Sequence, residues 1–155
     1  MSNQLVKIVF RLNSGDWHRS ASESVWAAPV STDGATPLYR IENSPFHSKE
    51  ASYHDTVNAT SEEGNLYFSR VVLKGGHSTY RLLLDDLSDL FESWWSKLSE
   101  MGCSYENGEE NGKILLSVDV PPAADIFAVY KALEGGEAIG IWQFEEGHVG
   151  HDVNK

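Results

Sequence analysis

Cysteine is nearly absent from this 155-residue chain, which contains only Cys103. A single thiol excludes a disulfide within the chain, so we expect a fold that does not depend on oxidation and a cytoplasmic location. No apolar run approaches the ~18 residues that a membrane-spanning helix needs. Residues 1–16 also lack the apolar core and cleavage site of a signal peptide. The sequence therefore predicts a soluble intracellular protein.

Positive charge is also scarce, but only in the second half of the chain. Residues 1–81 contain 8 acidic and 8 basic side chains, whereas residues 82–155 contain 15 acidic side chains against four lysines and no arginine. The whole net charge of −11 therefore comes from the second half. Binding of nucleic acid or of anionic lipid requires clustered Lys and Arg, so we expect neither. A negative field of this kind instead attracts a basic protein.

The first half has the pattern of short β-strands. Residues 5–12 alternate between apolar and polar side chains, as in a half-buried strand. Further strands are predicted at 24–30, 38–42, 55–60 and 65–74, and the last two form a hairpin around the polar turn 61–64. This part of the chain shows no helical periodicity. It predicts a small β-barrel or rolled sheet.

The pattern changes after Gly75-Gly76 to the order β-α-β-β-α-β. The predicted elements are a strand at 79–84, a helix at Asp86–Met101, strands at 103–106 and 113–120 around a turn at 107–112, a helix at 123–133 ended by Gly135-Gly136, and a strand at 138–144. The first helix carries an apolar stripe of Leu87, Leu90, Phe91, Trp94, Leu98 and Met101. The second is expected to turn Ile126, Phe127, Tyr130 and Leu133 inward.

This element order is that of a ferredoxin-like unit. We therefore predict an α+β protein with an N-terminal small β-barrel or rolled sheet over residues 1–76. It would pack on a C-terminal ferredoxin-like acidic unit over 77–147, followed by a frayed tail at 148–155.

Several short segments, spread over nearly the whole chain and in the same order, resemble the domain of unknown function 4265 family of small bacterial proteins. They include Ser24–Ala27, Ile41–Phe46, His54–Val57, Gly75–Arg81, Met101–Cys103, Asp119–Pro122 and Trp142–Glu146. The loop at 13–22 and the tail after Gly147 fall outside the resemblance. The resemblance implies a compact bacterial protein and supplies no reaction, cofactor or catalytic residue. By analogy alone, some proteins of this kind serve as toxin antidotes.

The acidic half suggests the first functional hypothesis. Fifteen acids against four lysines exceed what solubility requires, and adjacent helical residues differ by about 100°, so Trp95 is expected at the border of the apolar stripe, partly exposed. The predicted partner-binding residues are Asp85, Asp86, Asp89, Glu92 and Trp95, with Glu109 and Glu110 at the rim. We expect a non-enzymatic immunity or antidote protein that occludes a basic protein such as a nuclease toxin. The simpler interpretation is that these acids only face water.

The second hypothesis is a small regulatory or ligand-binding domain with its site in a groove between the two halves. The residues predicted to line that groove are Asn43, Pro45, Phe46, His77, Ser78 and Arg81. A hydrolase that uses His77 and Ser78 as base and nucleophile is a third hypothesis, which requires the two side chains to converge on one cleft.

The remaining reactive residue types favour structural roles. Glu145, Glu146, His148, His151 and Asp152 are of metal-ligand type, but they lie in a glycine-containing tail that we expect to be solvated. Cys103 has no basic neighbour to activate it, so a buried structural thiol is expected. We predict no cofactor and no metal.

Overall fold

The computed structural model describes residues 4–12, 22–30 and 37–152. The elements in chain order are β1 Val6–Arg11, β2 Ser22–Val30, β3 Leu38–Ile41, β4 Thr56–Glu62, β5 Asn65–Leu73, β6 Ser78–Leu84, α1 Asp89–Glu100, β7 Ser104–Glu110, β8 Lys113–Val120, α2 Ile126–Ala138 and β9 Gln143–His148. The protein is therefore a mixed α+β structure with two helices and two sheets, as the sequence predicts at that level. Neither described helix is long and apolar enough to cross a membrane.

The first sheet contains β1 to β5, and its pairings return to their starting strand. The strands pair in the order β1-β2-β3-β4-β5, with antiparallel neighbours, and β1 also pairs in parallel with β5 through Ile8 and Val9. Alternation along β1 buries Ile8 and Phe10 completely, and the Phe10 ring stacks on Phe68 at 4.6 Å between centroids. The apolar side of each strand therefore faces the interior of the ring, where it forms a core of its own.

The second sheet contains β6 to β9 in the order β7-β8-β6-β9, with every pair antiparallel. Both helices pack on one face of it. Tyr80, Leu82 and Leu84 of β6 point to that face and share a buried cluster with helix residues, which include Phe91, Trp95, Leu98, Val129 and Leu133. The alternate β6 residues point to the opposite face, which receives an irregular segment of the N-terminal half.

The first helix begins later than predicted, and it buries a different stripe. Ser88 is the N-cap, and its side chain accepts a hydrogen bond from the backbone N–H of Phe91, so Leu87 lies before the helix. The buried side chains are Phe91, Trp95 and Leu98, whereas Leu87 and Leu90, predicted to face inward, are exposed. The buried stripe therefore runs through Phe91, Trp95 and Leu98, at i, i+4 and i+7.

The second helix is longer than predicted because Gly135 and Gly136 lie inside it rather than ending it. A Cβ at Gly135 would lie 2.6 Å from Cζ3 of Trp94, and one at Gly136 would lie 2.3 Å from Cζ2 of Trp142. The glycines make room for two tryptophan rings. The last strand lies later than its predicted bounds of 138–144, since α2 continues to Ala138 and β9 begins only at Gln143. Two of the side chains predicted to point inward, Phe127 and Tyr130, are exposed.

Two predicted loops are also more ordered than expected. The turn predicted at 107–112 is only Asn111-Gly112, because β7 continues through Glu110. The predicted solvated tail is wrong for its described part: His148 ends β9, and His151 bonds the buried Ser78. Residues 153–155 of that tail, and most of the predicted loop at 13–22, lie outside the described residues.

We expect Gly136→Ala to destabilise the protein by about 1–3 kcal/mol, because the added methyl group meets a buried tryptophan that cannot move aside. At an exposed helical site the same change would stabilise by up to ~1 kcal/mol. Urea denaturation followed by fluorescence measures the difference. Glu134→Ala, an exposed change two residues away in α2, is the control. A Gly136→Ala variant at least as stable as the parent would contradict this packing.

Candidate functional site at the seam and the acidic end

Residues 42–55, here called the crossing segment, lie across the sheet face that the helices leave open. Side chains of β6 reach the segment at two points: Thr79 donates a hydrogen bond to Ser52 Oγ at 2.9 Å, and Arg81 bonds the backbone at Phe46 and Ser48. The contact between the segment and the sheet is here called the seam. The predicted groove between the halves is therefore filled along much of its length.

Arg81 is the central side chain of the seam. It is 1% exposed, and its guanidinium donates to the carbonyl oxygens of Phe46 and Ser48. Its Nη1 lies 3.5 Å from a carboxylate oxygen of Glu145. The two carbonyls belong to irregular backbone, and a buried carbonyl without a donor is costly. Arg81 satisfies both of them while Glu145 balances its charge.

Two carboxylates hold the crossing segment from the other side. Glu23 of β2 accepts hydrogen bonds from the three consecutive backbone N–H groups of residues 46–48. Glu106 of β7 accepts from the backbone N–H of Ser44 at 2.6 Å and from the side-chain amide of Asn43 at 3.3 Å. Charge-assisted bonds of this kind are stronger than neutral ones. They therefore fix a segment that is not itself a strand.

Histidines are concentrated around the seam, and four of them lie beside a carboxylate. The nearest nitrogen–oxygen distances are 3.7 Å for His47 to Glu110, 3.3 Å for His54 to Glu42, 2.8 Å for His77 to Asp119 and 3.8 Å for His148 to Asp55. Burial lowers the pKa of His148, and Asp55 opposes that shift. Burial raises the pKa of Asp119, and His77 opposes that shift. Burial therefore shifts both His148 and Asp119 toward their neutral forms.

His77 and Ser78 do not form a catalytic pair. The His77 ring bonds Asp119, whereas Ser78 Oγ bonds the ring of His151 at 2.6 Å on the other side of β6. Ser78 is also fully buried. The two side chains point apart, as neighbours on a strand do, so the hydrolase hypothesis for this pair is wrong.

The structure places five of the six predicted groove residues in the seam and Ser78 on the opposite side of β6, and all six are packed rather than open. Pro45, Ser78 and Arg81 are buried, and Asn43, Phe46 and His77 are half-buried. A Cβ at Gly108 would lie 2.8 Å from the Phe46 ring, so that ring rests directly on β7. Two cavities adjoin the packed region. One, of about 350 Å³, is lined by Arg81, Leu83, Leu115, Gln143, Phe144 and Glu145. The other, of about 230 Å³, lies beside Tyr53 and Asp119.

Acidic residues predicted to bind a partner gather at one end of the second sheet. Cross-strand register sets Leu84 opposite Ile114 and Glu110 opposite Lys113, which brings the β7–β8 turn to the start of α1. Asp85 lies 3.4 Å from Lys113. The exposed acidic residues of this region, here called the acidic end, are Asp85, Asp86, Asp89, Glu92 and Glu109.

Trp95 and Glu110 do not belong to that surface. Trp95 is only 9% exposed and packs edge-on against Tyr105 at 4.8 Å between centroids, so it cannot act as an exposed anchor. The Glu110 side chain is 12% exposed and faces His47 in the seam. Leu87 and Leu90 take the exposed positions instead, at 38% and 52%. Ser88 before Asp89 is the sequence signal that could have located this helix start.

The family comparison covers the part of the chain that contains the crossing segment and Arg81. The family model described as domain of unknown function 4265 matches residues 23–144. This chain belongs to that family, as its resemblance predicts. The matched region begins at Glu23 and contains the crossing segment and Arg81, so the family pattern spans the main contacts of the seam.

A solved structure shares the fold. A crystal structure of a hypothetical protein from Neisseria gonorrhoeae is similar with a TM-score of 0.77 and 19% sequence identity, over 98% of this chain and 100% of that chain. No curated protein matches the chain. At this identity the likeness shows the fold alone.

We expect Arg81→Met to destabilise this family member by about 3–5 kcal/mol, because it leaves two buried carbonyls and the Glu145 carboxylate without their donor. Arg11→Met is the matched control: that side chain is 61% exposed and pairs with Glu62 at 3.1 Å, so its loss should cost no more than ~1 kcal/mol. Arg81→Lys should fall between, since an ammonium lacks the planar fork of donors. Equal losses for Arg81→Met and Arg11→Met in urea denaturation would refute the central role of Arg81.

The lowered pKa of His148 gives a pH dependence with a definite sign. The unfolded chain binds a proton at about pH 6.5, whereas the folded chain resists protonation of this side chain until lower pH. Stability should therefore fall as the pH drops below about 6.5 toward the folded pKa. His148→Gln should flatten that fall when the free energy of unfolding is measured from pH 8 to 5. An unchanged pH slope in the variant would rule out this contribution.

Proposed function

We propose that this protein is a non-enzymatic binding protein whose acidic end occludes a basic partner, as an immunity or antidote protein occludes a nuclease toxin. One observation carries the proposal: two exposed leucines, Leu87 and Leu90, lie among the exposed carboxylates of the acidic end. Apolar side chains ringed by charge are the composition of a protein interface, with an apolar centre and a polar rim.

The mechanism has two steps that different residues carry out. Carboxylates of the acidic end raise the rate of encounter with a basic surface, since long-range attraction acts before contact. Leu90 and Leu87 are then buried at the interface and slow dissociation. Lys113 is the one described basic residue whose side chain pairs with the carboxylates of the acidic end, at 3.4 Å from Asp85. Both side chains are exposed, so solvent screens this ion pair and it removes little of the local negative charge.

We also propose the finer architecture that the sequence predicts. The order β7-β8-β6-β9, with antiparallel neighbours and both helices contributing to one buried cluster, supports a ferredoxin-like unit. The return of the N-terminal pairings from β5 to β1 supports a small barrel. A cytoplasmic location is supported by Cys103, which is buried, and burial raises its pKa to about 12.

The first partner to test is a basic protein encoded beside the gene for this chain. We expect its association rate to fall at least about tenfold between ~50 and ~300 mM salt in surface plasmon resonance, because salt screens steering. The triple change Asp85→Asn, Asp86→Asn, Asp89→Asn should lower the rate at low salt and flatten its salt dependence.

A second triple variant separates local from total charge. Glu50→Gln, Glu63→Gln, Glu100→Gln removes the same net charge from exposed positions outside the acidic end, and it should leave the association rate nearly unchanged. Equal effects of the two triple variants would contradict the placement of the interface.

The dissociation rate tests the apolar part of the same interface. Leu90→Ala should raise it about tenfold, as loss of one buried apolar anchor does. Phe127→Ala is the control, since this 58% exposed side chain lies at the start of α2. No change for Leu90→Ala would remove the leucines from the interface.

A further inference from the structure

The smaller seam cavity is a second candidate site, separate from the acidic end. It has a volume of about 230 Å³ and is lined by Ser44, Tyr53, Ser104, Tyr105, Glu106, Ser117 and Asp119. In the β7–β8 register, Ser104 pairs with Asp119 and Glu106 pairs with Ser117. Glu106 in the cavity wall is three residues from Glu109 of the acidic end along β7, a separation of about 10 Å. Both halves of the protein contribute to its walls.

The lining residues combine two carboxylates with hydroxyl groups and no Lys or Arg. Each carboxylate can accept about four hydrogen bonds. The bonds to Glu106 come from Asn43 and Ser44, and those to Asp119 come from His77. Acceptor capacity therefore remains on both carboxylates.

The electrostatic surroundings of Tyr53, at the edge of the cavity, are also negative. Burial and the nearby carboxylates of Glu42, Asp119 and Glu106 raise the pKa of Tyr53, and only Arg40 opposes them. Arg40 is engaged by Glu42 at 2.7 Å. The histidines that act on Asp119 are His77, His54 and His151. The lining side chains therefore include carboxylates but no Lys or Arg, so a cationic ligand would complement the cavity.

We propose that the cavity binds a small organic cation through an ammonium or guanidinium group. Such a group supplies several N–H donors at once and pairs with carboxylates through charge-assisted bonds. The volume equals that of about eight water molecules at ~30 Å³ each, which admits a short amine and excludes a drug-sized ligand. Anions are repelled by both carboxylates. The group is carried either by a free small molecule or by an arginine side chain of a partner.

Chemical-shift titration of the ¹⁵N-labelled full chain at about pH 8 tests the proposal. The probes are ethylammonium, methylguanidinium and N-acetyl-arginine amide, up to about 20 mM, because ligands of this size bind weakly. We expect saturable shifts for amides near Ser44, Tyr53, Glu106 and Asp119. Tighter binding of methylguanidinium than of the arginine amide assigns a free small molecule, and the reverse order assigns a partner's arginine.

Matched probes and variants separate binding from general charge effects. Tetramethylammonium, a cation without N–H donors, and acetate should give no saturable shifts. Asp119→Asn should weaken binding at least about tenfold, and Tyr53→Phe, which removes only one hydroxyl, should weaken it several-fold. Glu92→Gln, at the acidic end, should leave it unchanged.

Three outcomes would overturn the proposal: no saturable shifts with any N–H cation, equal binding of tetramethylammonium, or equal affinity in Tyr53→Phe and the parent. Tyr53→Phe decides the matter even if Asp119→Asn fails to fold. Because the acidic end lies elsewhere, none of these outcomes bears on the proposed capture of a basic protein.

Discussion

Burial of one cation, Arg81, is the constraint on which the arrangement of the two sheets depends. A guanidinium removed from water must recover its solvation from carbonyls and carboxylates. Glu145 of the same sheet supplies one carboxylate, and the crossing segment delivers the carbonyls of Phe46 and Ser48. That segment is irregular, and its own N–H groups are satisfied by Glu23 from one sheet and Glu106 from the other. Each half therefore completes the hydrogen bonding of the other.

Strands were predictable from the sequence because a period of two is a local property. The alternation around Ile8 and Phe10, and that along β8, correctly located their strands. Helix ends were less predictable because distant side chains decide them. Gly135-Gly136 is a stop signal by local rules, yet the rings of Trp94 and Trp142 need the space that the two glycines leave inside α2. A local pattern does not contain that packing.

The candidate sites divide in the same way. The acidic end follows from counting charges, and its carboxylates were identified correctly as exposed at Asp85, Asp89 and Glu92. Its apolar anchors were misassigned because local periodicity does not show which of two overlapping apolar stripes faces the sheet: the stripe through Leu87, Leu90 and Trp94, or the buried stripe through Phe91, Trp95 and Leu98. The seam was largely unpredictable, since residues 42–55 have no periodicity and some of their partners are 20 to 96 residues away in sequence, such as Gly75 for Asp55 and His148 for Ser52.

The charge asymmetry of the chain therefore has two different physical consequences. Part of the excess acid is turned inward: Glu106, Glu110, Asp119 and Glu145 bond backbone, histidine or Arg81 in the seam. Those carboxylates act mainly on the seam and its cavity, so they add little to the field at the acidic end. The field available to a partner comes from exposed groups, with a dense set between Asp85 and Glu92. The net charge of −11 is therefore not spread evenly over the surface. The attraction for a basic partner is concentrated at the acidic end.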